Sequence, residues 1–202
     1  MIPPIADRFV AGESPATALE HVRQLNDNDV KAIVNLLGEH YEDRDAVAAD
    51  AAEYRQLVDD IAGSRLAACL SVKPSQLGLD LGEDVFRSEL AGIVDAAAER
   101  DVFVWLDMED HTTTDATLDA FETVAREHGG GVGVCVQANL RRTRADVRRL
   151  ADVPGKVRLV KGAYDPPADV AYTDSARVDQ EYRTLLEDAF ERYDGGIAVG
   201  SH

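Results

Sequence analysis

Six short runs of aliphatic and β-branched residues recur along the chain: AIVNLL (32–37), AACLSV (67–72), VFVWLD (102–107), GVCVQA (133–138), VRLV (157–160) and IAVG (197–200). Stretches with apolar residues at helical spacing lie between them, including 45–62, 85–100 and 115–129. Strand starts roughly 25 to 40 residues apart are the spacing of β/α units, and a series of them predicts a parallel sheet with helices outside. Period-two reading then separates the faces. Leu70 and Val72 oppose Ser71 and Lys73; Val134 and Val136 oppose Gly133, Cys135 and Gln137; Val157 and Leu159 oppose Arg158 and Val160. An open doubly wound sheet covers both faces with helices and requires both to be apolar, whereas a barrel sends one face to its helices and the other to its interior. The expectation is an α/β fold of the (β/α)8, TIM-like barrel type. No G-x-G-x-x-G follows the first run to support a dinucleotide-binding sheet. Six of the eight units of such a barrel are visible before Ser201 and His202, so the C-terminal units are expected to be missing from a single domain spanning 1–202.

Composition narrows the partners. The 202 residues, 45% hydrophobic, suffice for one sizeable core, and no repeat, low-complexity segment or Pro/Gly/Ser linker divides them. The apolar runs fall far short of the roughly 20 residues of a membrane span, and the N-terminus lacks a signal-peptide layout, so a cytoplasmic protein is expected. Cys69 and Cys135 lie inside apolar runs without metal-finger spacing and read as reduced core residues. A net charge of -17 argues against binding nucleic acid or an anionic membrane by charge alone. Only four lysines accompany 17 arginines against 38 acids, a pattern suited to a halophilic, saline cytoplasm where screening removes most self-repulsion.

Active sites of β/α barrels lie at the C-terminal ends of the strands. There the sequence places Lys73, Asp107, Gln137, Arg158 on the inner face, and His202. A barrel core does not need two cations, a carboxylate, an amide and an imidazole. Other segments read more plainly. HGGGVGV (128–134) follows a helix and precedes a strand, the reverse of phosphate-loop order, and is expected to be a helix end and turn. DMEDH (107–111) offers acids more suited to capping than to metal. Arg141, Arg142, Arg144, Arg148 and Arg149 are expected on a solvated helix face among acids.

Taken together, LLGEHYED (36–43), SVKPSQLGLD (71–80), WLDMEDHTTTDATLD (105–119), CVQANLRRT (135–143), VRLVKGAY (157–164) and GSH (200–202) resemble, in order, the segments of the proline dehydrogenase family. The resemblance implies a distorted (β/α)8 barrel and FAD-dependent oxidation of L-proline to 1-pyrroline-5-carboxylate, the first step of proline catabolism. It implies that Lys73 faces the proline carboxylate and Asp107 orients the substrate. Gln137, Arg158, Val160, Lys161, Gly162, Ala163, Ser201 and His202 would contact the flavin nucleotide, with Arg158 beside its ring and Lys161 and the Gly162 backbone at its chain and phosphates. A quinone-like acceptor, reached at a membrane surface, would reoxidise it.

One family feature is missing. A tyrosine followed by an arginine pair clamps the substrate carboxylate from a C-terminal helix, and no such motif follows the sixth run. One lysine does not reproduce a bidentate arginine clamp. Two alternatives therefore stand beside the flavoenzyme: a substrate-incompetent barrel fragment that self-associates through open sheet edges, and a metal-dependent barrel lyase or hydrolase using Asp107, Glu109 and His111.

Overall fold

The computed structural model describes residues 10–193 and 196–201. Helix α1 (Pro15–Asn26) starts where Ser14 and Thr17 cap one another reciprocally and proline occupies the first turn. Strand β1 (Ala32–Val34) follows, and then units alternate: α2 (Arg44–Ser64), β2 (Ala68–Val72), α3 (Glu83–Glu99), β3 (Val104–Leu106), α4 (Thr114–His128), β4 (Val132–Gln137), α5 (Thr143–Leu150), β5 (Lys156–Val160), α6 (Ser175–Arg192) and β6 (Ile197–Gly200). The strands form one six-stranded sheet in sequence order, every neighbouring pair parallel. Among the described residues no helix is long and apolar enough to cross a membrane.

Side-chain alternation falls as the sequence predicts. Leu70, Val72, Val104, Leu106, Val132, Val134, Val136, Val157 and Leu159 are all at most 2% exposed and belong to one core with Tyr54, Leu57, Phe86, Leu90, Ile93, Leu118 and Phe121 from the surrounding helices. Register rows on the other face align Ser71, Trp105, Gly133 and Lys156, then Cys135, Arg158 and Ala198, then Gln137, Val160 and Gly200.

That second face is concave. Neighbouring strands lie roughly 4.8 Å apart, so β2 and β5 of a flat sheet would be separated by about 14 Å. Yet an Arg158 Nη on β5 lies 3.3 Å from Ser71 Oγ on β2. Only a curled sheet brings these positions within one side chain's reach, as in an α/β barrel wall.

The punctuation of the elements also follows the sequence. HGGGVGV ends α4 with Gly129 in the left-handed region and turns into β4. The arginine cluster lies on and around α5 among acids: Arg142 pairs with Asp115 and Asp146, Arg149 with Asp119 and Glu122, and Arg144 with Glu181 and Asp188.

Candidate active site

Arg158 is the hub of the concave face. Its Nε lies 2.7 Å from Cys135 Sγ, its neighbour in register. Its Nη group pairs with Asp107 Oδ1, and its plane stacks 5.0 Å from the Trp105 ring. Asp107 also accepts from Ser71 Oγ at 2.8 Å, and the Cys135 thiol approaches it at 3.7 Å. Trp105 in turn packs 5.0 Å from Phe103, over which Lys156 sits at 5.0 Å. Cations and rings thus alternate along the inner wall, the half-buried Arg158 and the exposed Lys156 each set over a π face.

Electrostatics keep this cluster fixed. Burial pushes the Cys135 thiol up to about 12, against the opposing pull of Arg158. The thiol stays neutral near pH 7, leaving the Asp107 carboxylate as the counter-charge of the guanidinium. The Asp107 and Arg158 side chains keep 27% and 16% of their exposure, so the pair remains accessible to a small ligand.

The other expected residues divide. Lys73 ends the β2 run and pairs with Glu39 at 2.9 Å, away from Asp107's partners. Gln137 is buried and donates from Nε2 to the Glu109 carbonyl at 2.7 Å. The Val160 carbonyl accepts from Ala138 N–H at 2.8 Å and the Lys161 carbonyl from Asn139 N–H at 2.9 Å, extending the β4–β5 ladder into the following loops. Lys161 Nζ pairs with Asp179 at 2.8 Å. Gly162 has φ +115°, and a Cβ there would lie 2.3 Å from Asn139 Oδ1, so glycine is required on both counts. Ala163 and Ser201 are exposed; His202 lies outside the described residues.

The metal alternative is corrected by this geometry. Asp107 is engaged by Arg158 and Ser71, while Glu109 turns to Ser75. His111 sits beside Asp110, whose carboxylate caps the turn at Thr112. Among the described residues no group of three or more His, Cys, Asp and Glu converges on a common point.

Four residues escaped the sequence reading as site residues: Ser71, Ser75, Trp105 and Cys135, while Glu109, expected only as a possible metal ligand, instead pairs with Ser75. Ser71 and Cys135 already stood on the polar side of the alternation. Trp105 could have been found from its position opposite Gly133, where a Cβ would lie 2.4 Å from the indole. Tyr164 joins the mouth as well; burial, then the charges of Glu109, Glu39, Asp107 and Asp110, push its hydroxyl up to about 12.

A family model described as proline dehydrogenase matches residues 18–202. The chain belongs to the proline dehydrogenase family. It is 37% identical over 186 residues to proline dehydrogenase of Deinococcus radiodurans, covering 90% of this chain and 60% of that protein. It is 34% identical over 182 residues to proline dehydrogenase 1 of Bacillus subtilis, with the same coverage of 90% and 60%. The chain therefore spans about 60% of the length of these relatives. Among solved structures, proline utilization A from Bdellovibrio bacteriovorus, inactivated by N-propargylglycine, superposes with a TM-score of 0.85 at 24% identity, over 98% of this chain and 25% of that one. Proline utilization A from Bradyrhizobium japonicum gives a TM-score of 0.75 at 19% identity, over 93% and 22%. These superpositions bear on the fold alone and agree with an α/β barrel wall of parallel strands.

Proposed function

We propose that the protein oxidises L-proline to 1-pyrroline-5-carboxylate with FAD as its cofactor. The observation that carries this reading is the Asp107–Arg158 pair, fixed on the concave face, with Asp107 just past the C-terminal end of β3 and Arg158 within β5, in a chain of this family. The residues present fit a flavin nucleotide. Asn139 Oδ1 is a buried acceptor without a partner, and it faces Gly162, whose missing side chain leaves a cradle of backbone at the end of β5. Gln137, Arg158, Val160, Lys161, Gly162, Ala163 and Ser201 would hold the group, with His202 extending the set. Lys161 would exchange Asp179 for a phosphate.

When bound, FAD would supply a two-electron acceptor for the hydride leaving the proline carbon next to nitrogen; the cationic nitrogen first gives up one proton to free its lone pair, and the iminium left by hydride loss gives up a second to complete the imine. The protein's part is positioning and charge. Arg158, held by Asp107, Cys135 and Trp105, keeps a cation where negative charge develops without reorganising during the reaction. Lys73 attracts the substrate carboxylate once it parts from Glu39, and Asp107 orients the substrate's cationic nitrogen. A quinone-like acceptor takes the electrons onward, at the membrane surface or in the cytoplasm.

Two further readings belong here. The acid excess and arginine-rich cations suit a salt-adapted protein that gains stability in molar salt. Strands β1 and β6 each have one strand neighbour among the described residues, and these edges favour self-association of a single domain over 1–202.

The test is a visible spectrum of the purified chain in molar salt with FAD, free cofactor removed, before and after proline under anaerobic conditions. Flavin bands that bleach with proline support the reading. Bands that persist with proline, or the absence of any bound flavin, refute it for this chain.

A further inference from the structure

Glu109 has no part in the chemistry proposed above, yet it is a carboxylate only 3% exposed in a loop. Its two oxygens are both used: Oε2 accepts from Ser75 N–H at 2.7 Å and Oε1 from Ser75 Oγ at 2.8 Å. Its backbone carbonyl accepts from Gln137 Nε2 at 2.7 Å. Ser75 continues the junction, its Oγ accepting from His40 N–H at 3.1 Å and its carbonyl from Tyr41 N–H at 3.3 Å. Segments that follow β1, β2 and β3, and the last residue of β4, therefore meet at one carboxylate and one serine. A buried charge satisfied by an amide and a hydroxyl is a strong tie, because losing either partner leaves the carboxylate desolvated and unpaired.

The register of this tie matters more than its strength. Ser75 lies two residues beyond Lys73, and Glu109 two residues beyond Asp107. Locking Ser75 to Glu109 sets the separation of the loops that carry Lys73 and Asp107. Gln137 is aimed by the Glu109 peptide, which the Glu109 side chain holds in place.

We propose that Glu109, acting through Ser75 and Gln137, is a positioning residue that holds the substrate-facing loops and the flavin-facing amide in one arrangement. This rests on the flavoenzyme reading for its consequences, but the tie itself exists without ligand. In Glu109→Gln one oxygen still accepts from Ser75 N–H. The new NH2 then competes for Ser75 Oγ, which already accepts from His40, and the serine proton loses its acceptor.

Two measurements separate positioning from general stability. Hydrogen exchange on the ligand-free protein is expected to show the Ser75 amide and its loop, residues 73–78, exchanging about tenfold or more faster in Glu109→Gln, while the β2 and β4 ladders are unchanged. FAD titration, followed by flavin fluorescence, is expected to show about tenfold weaker binding in Glu109→Gln, and no further weakening when Gln137→Ala is already present. Equal acceleration across strands and loop, or additive losses in the double variant, would overturn the proposal. Ser75→Ala removes only the hydroxyl tie and serves the same two measurements should Glu109→Gln fail to fold. A wild-type chain that binds no FAD would sink the flavoenzyme reading, while loop-confined exchange would still decide whether Glu109 holds the loops.

Discussion

The two faces of one sheet solve opposite problems with neighbouring residues. On β5, Leu159 is 1% exposed against the helices, while Arg158, one residue earlier, reaches inward to Asp107, Ser71 and Cys135. The outer face is nearly uniform valine and leucine, interchangeable in kind and held by transfer from water. The inner face is heterogeneous, and its residues are held by specific partners. Stability should therefore respond to the outer face, and ligand chemistry to the inner one.

The largest effect on folding should come from Leu159→Ala, which removes a fully packed side chain and is expected to cost about 2–5 kcal/mol in urea denaturation. Flavin binding by the fraction that remains folded should change little. A cost below about 1 kcal/mol would break the comparison, because the outer face would then not be the stabilising one.

Arg158→Met should reverse that pattern. Asp107 keeps its Ser71 hydrogen bond and is partly hydrated, so the loss of stability is expected to be about 1 kcal/mol, less than for a fully buried pair. Reduction of bound flavin by proline should slow by about 10²–10³-fold in stopped-flow absorbance, the loss typical of a fixed charge aimed at developing charge. Equal effects of Arg158→Met and Leu159→Ala on stability would show that the guanidinium cluster is core and not site.

Between these lies Gly133→Ala, an overpacking change on the inner face. The added Cβ would meet the Trp105 ring at 2.4 Å and the Lys156 carbonyl at 2.9 Å, for an expected cost of about 1–3 kcal/mol. Trp105 is the single tryptophan, so its fluorescence reports the displacement directly. An unshifted emission spectrum in a normally stable variant would mean that the ring is not confined between Gly133 and Arg158.

These residues also mark how far the sequence could be read. The outer face was legible because a period of two over valines and leucines admits one explanation, and the barrel followed from the polar character of Ser71, Gln137 and Arg158 opposite them. Helix α1 stands outside the β/α rhythm, although Ser14, Pro15 and Thr17 carry its start signal. Arg158 and Asp107 were legible as site residues, but their pairing was not. They were expected to face separate partners, and their contact depends on curvature across β3, β4 and β5 that has no local signature. The same holds for Lys73 and Lys161, whose counter-charges, Glu39 and Asp179, come from segments 34 and 18 residues away. Glu109 was grouped with possible metal ligands because adjacent acids look alike in sequence; burial against Ser75, 34 residues away, distinguishes it.

The smallest effect belongs to the mouth, where Lys73 and Glu39 pair at 2.9 Å on neither face. The Lys73 hydrogen bond, then its charge, lower the Glu39 carboxyl from its ordinary value of 4.5. A depressed folded value means that this pair's contribution is fully present above the unfolded value and is lost as the pH falls through the folded one. Glu39 is 54% exposed, so screening holds the contribution to well under about 1 kcal/mol. Urea midpoints of the wild type and Glu39→Gln should accordingly differ slightly near neutral pH, converge below the carboxylate range, and coincide in molar salt at every pH. A difference that survives both acid and salt would assign Glu39 to packing, leaving Lys73 more firmly held than a substrate-facing cation can be. Convergence would leave Lys73 restrained so weakly that a substrate carboxylate could displace Glu39 at little cost, as the proposed chemistry requires.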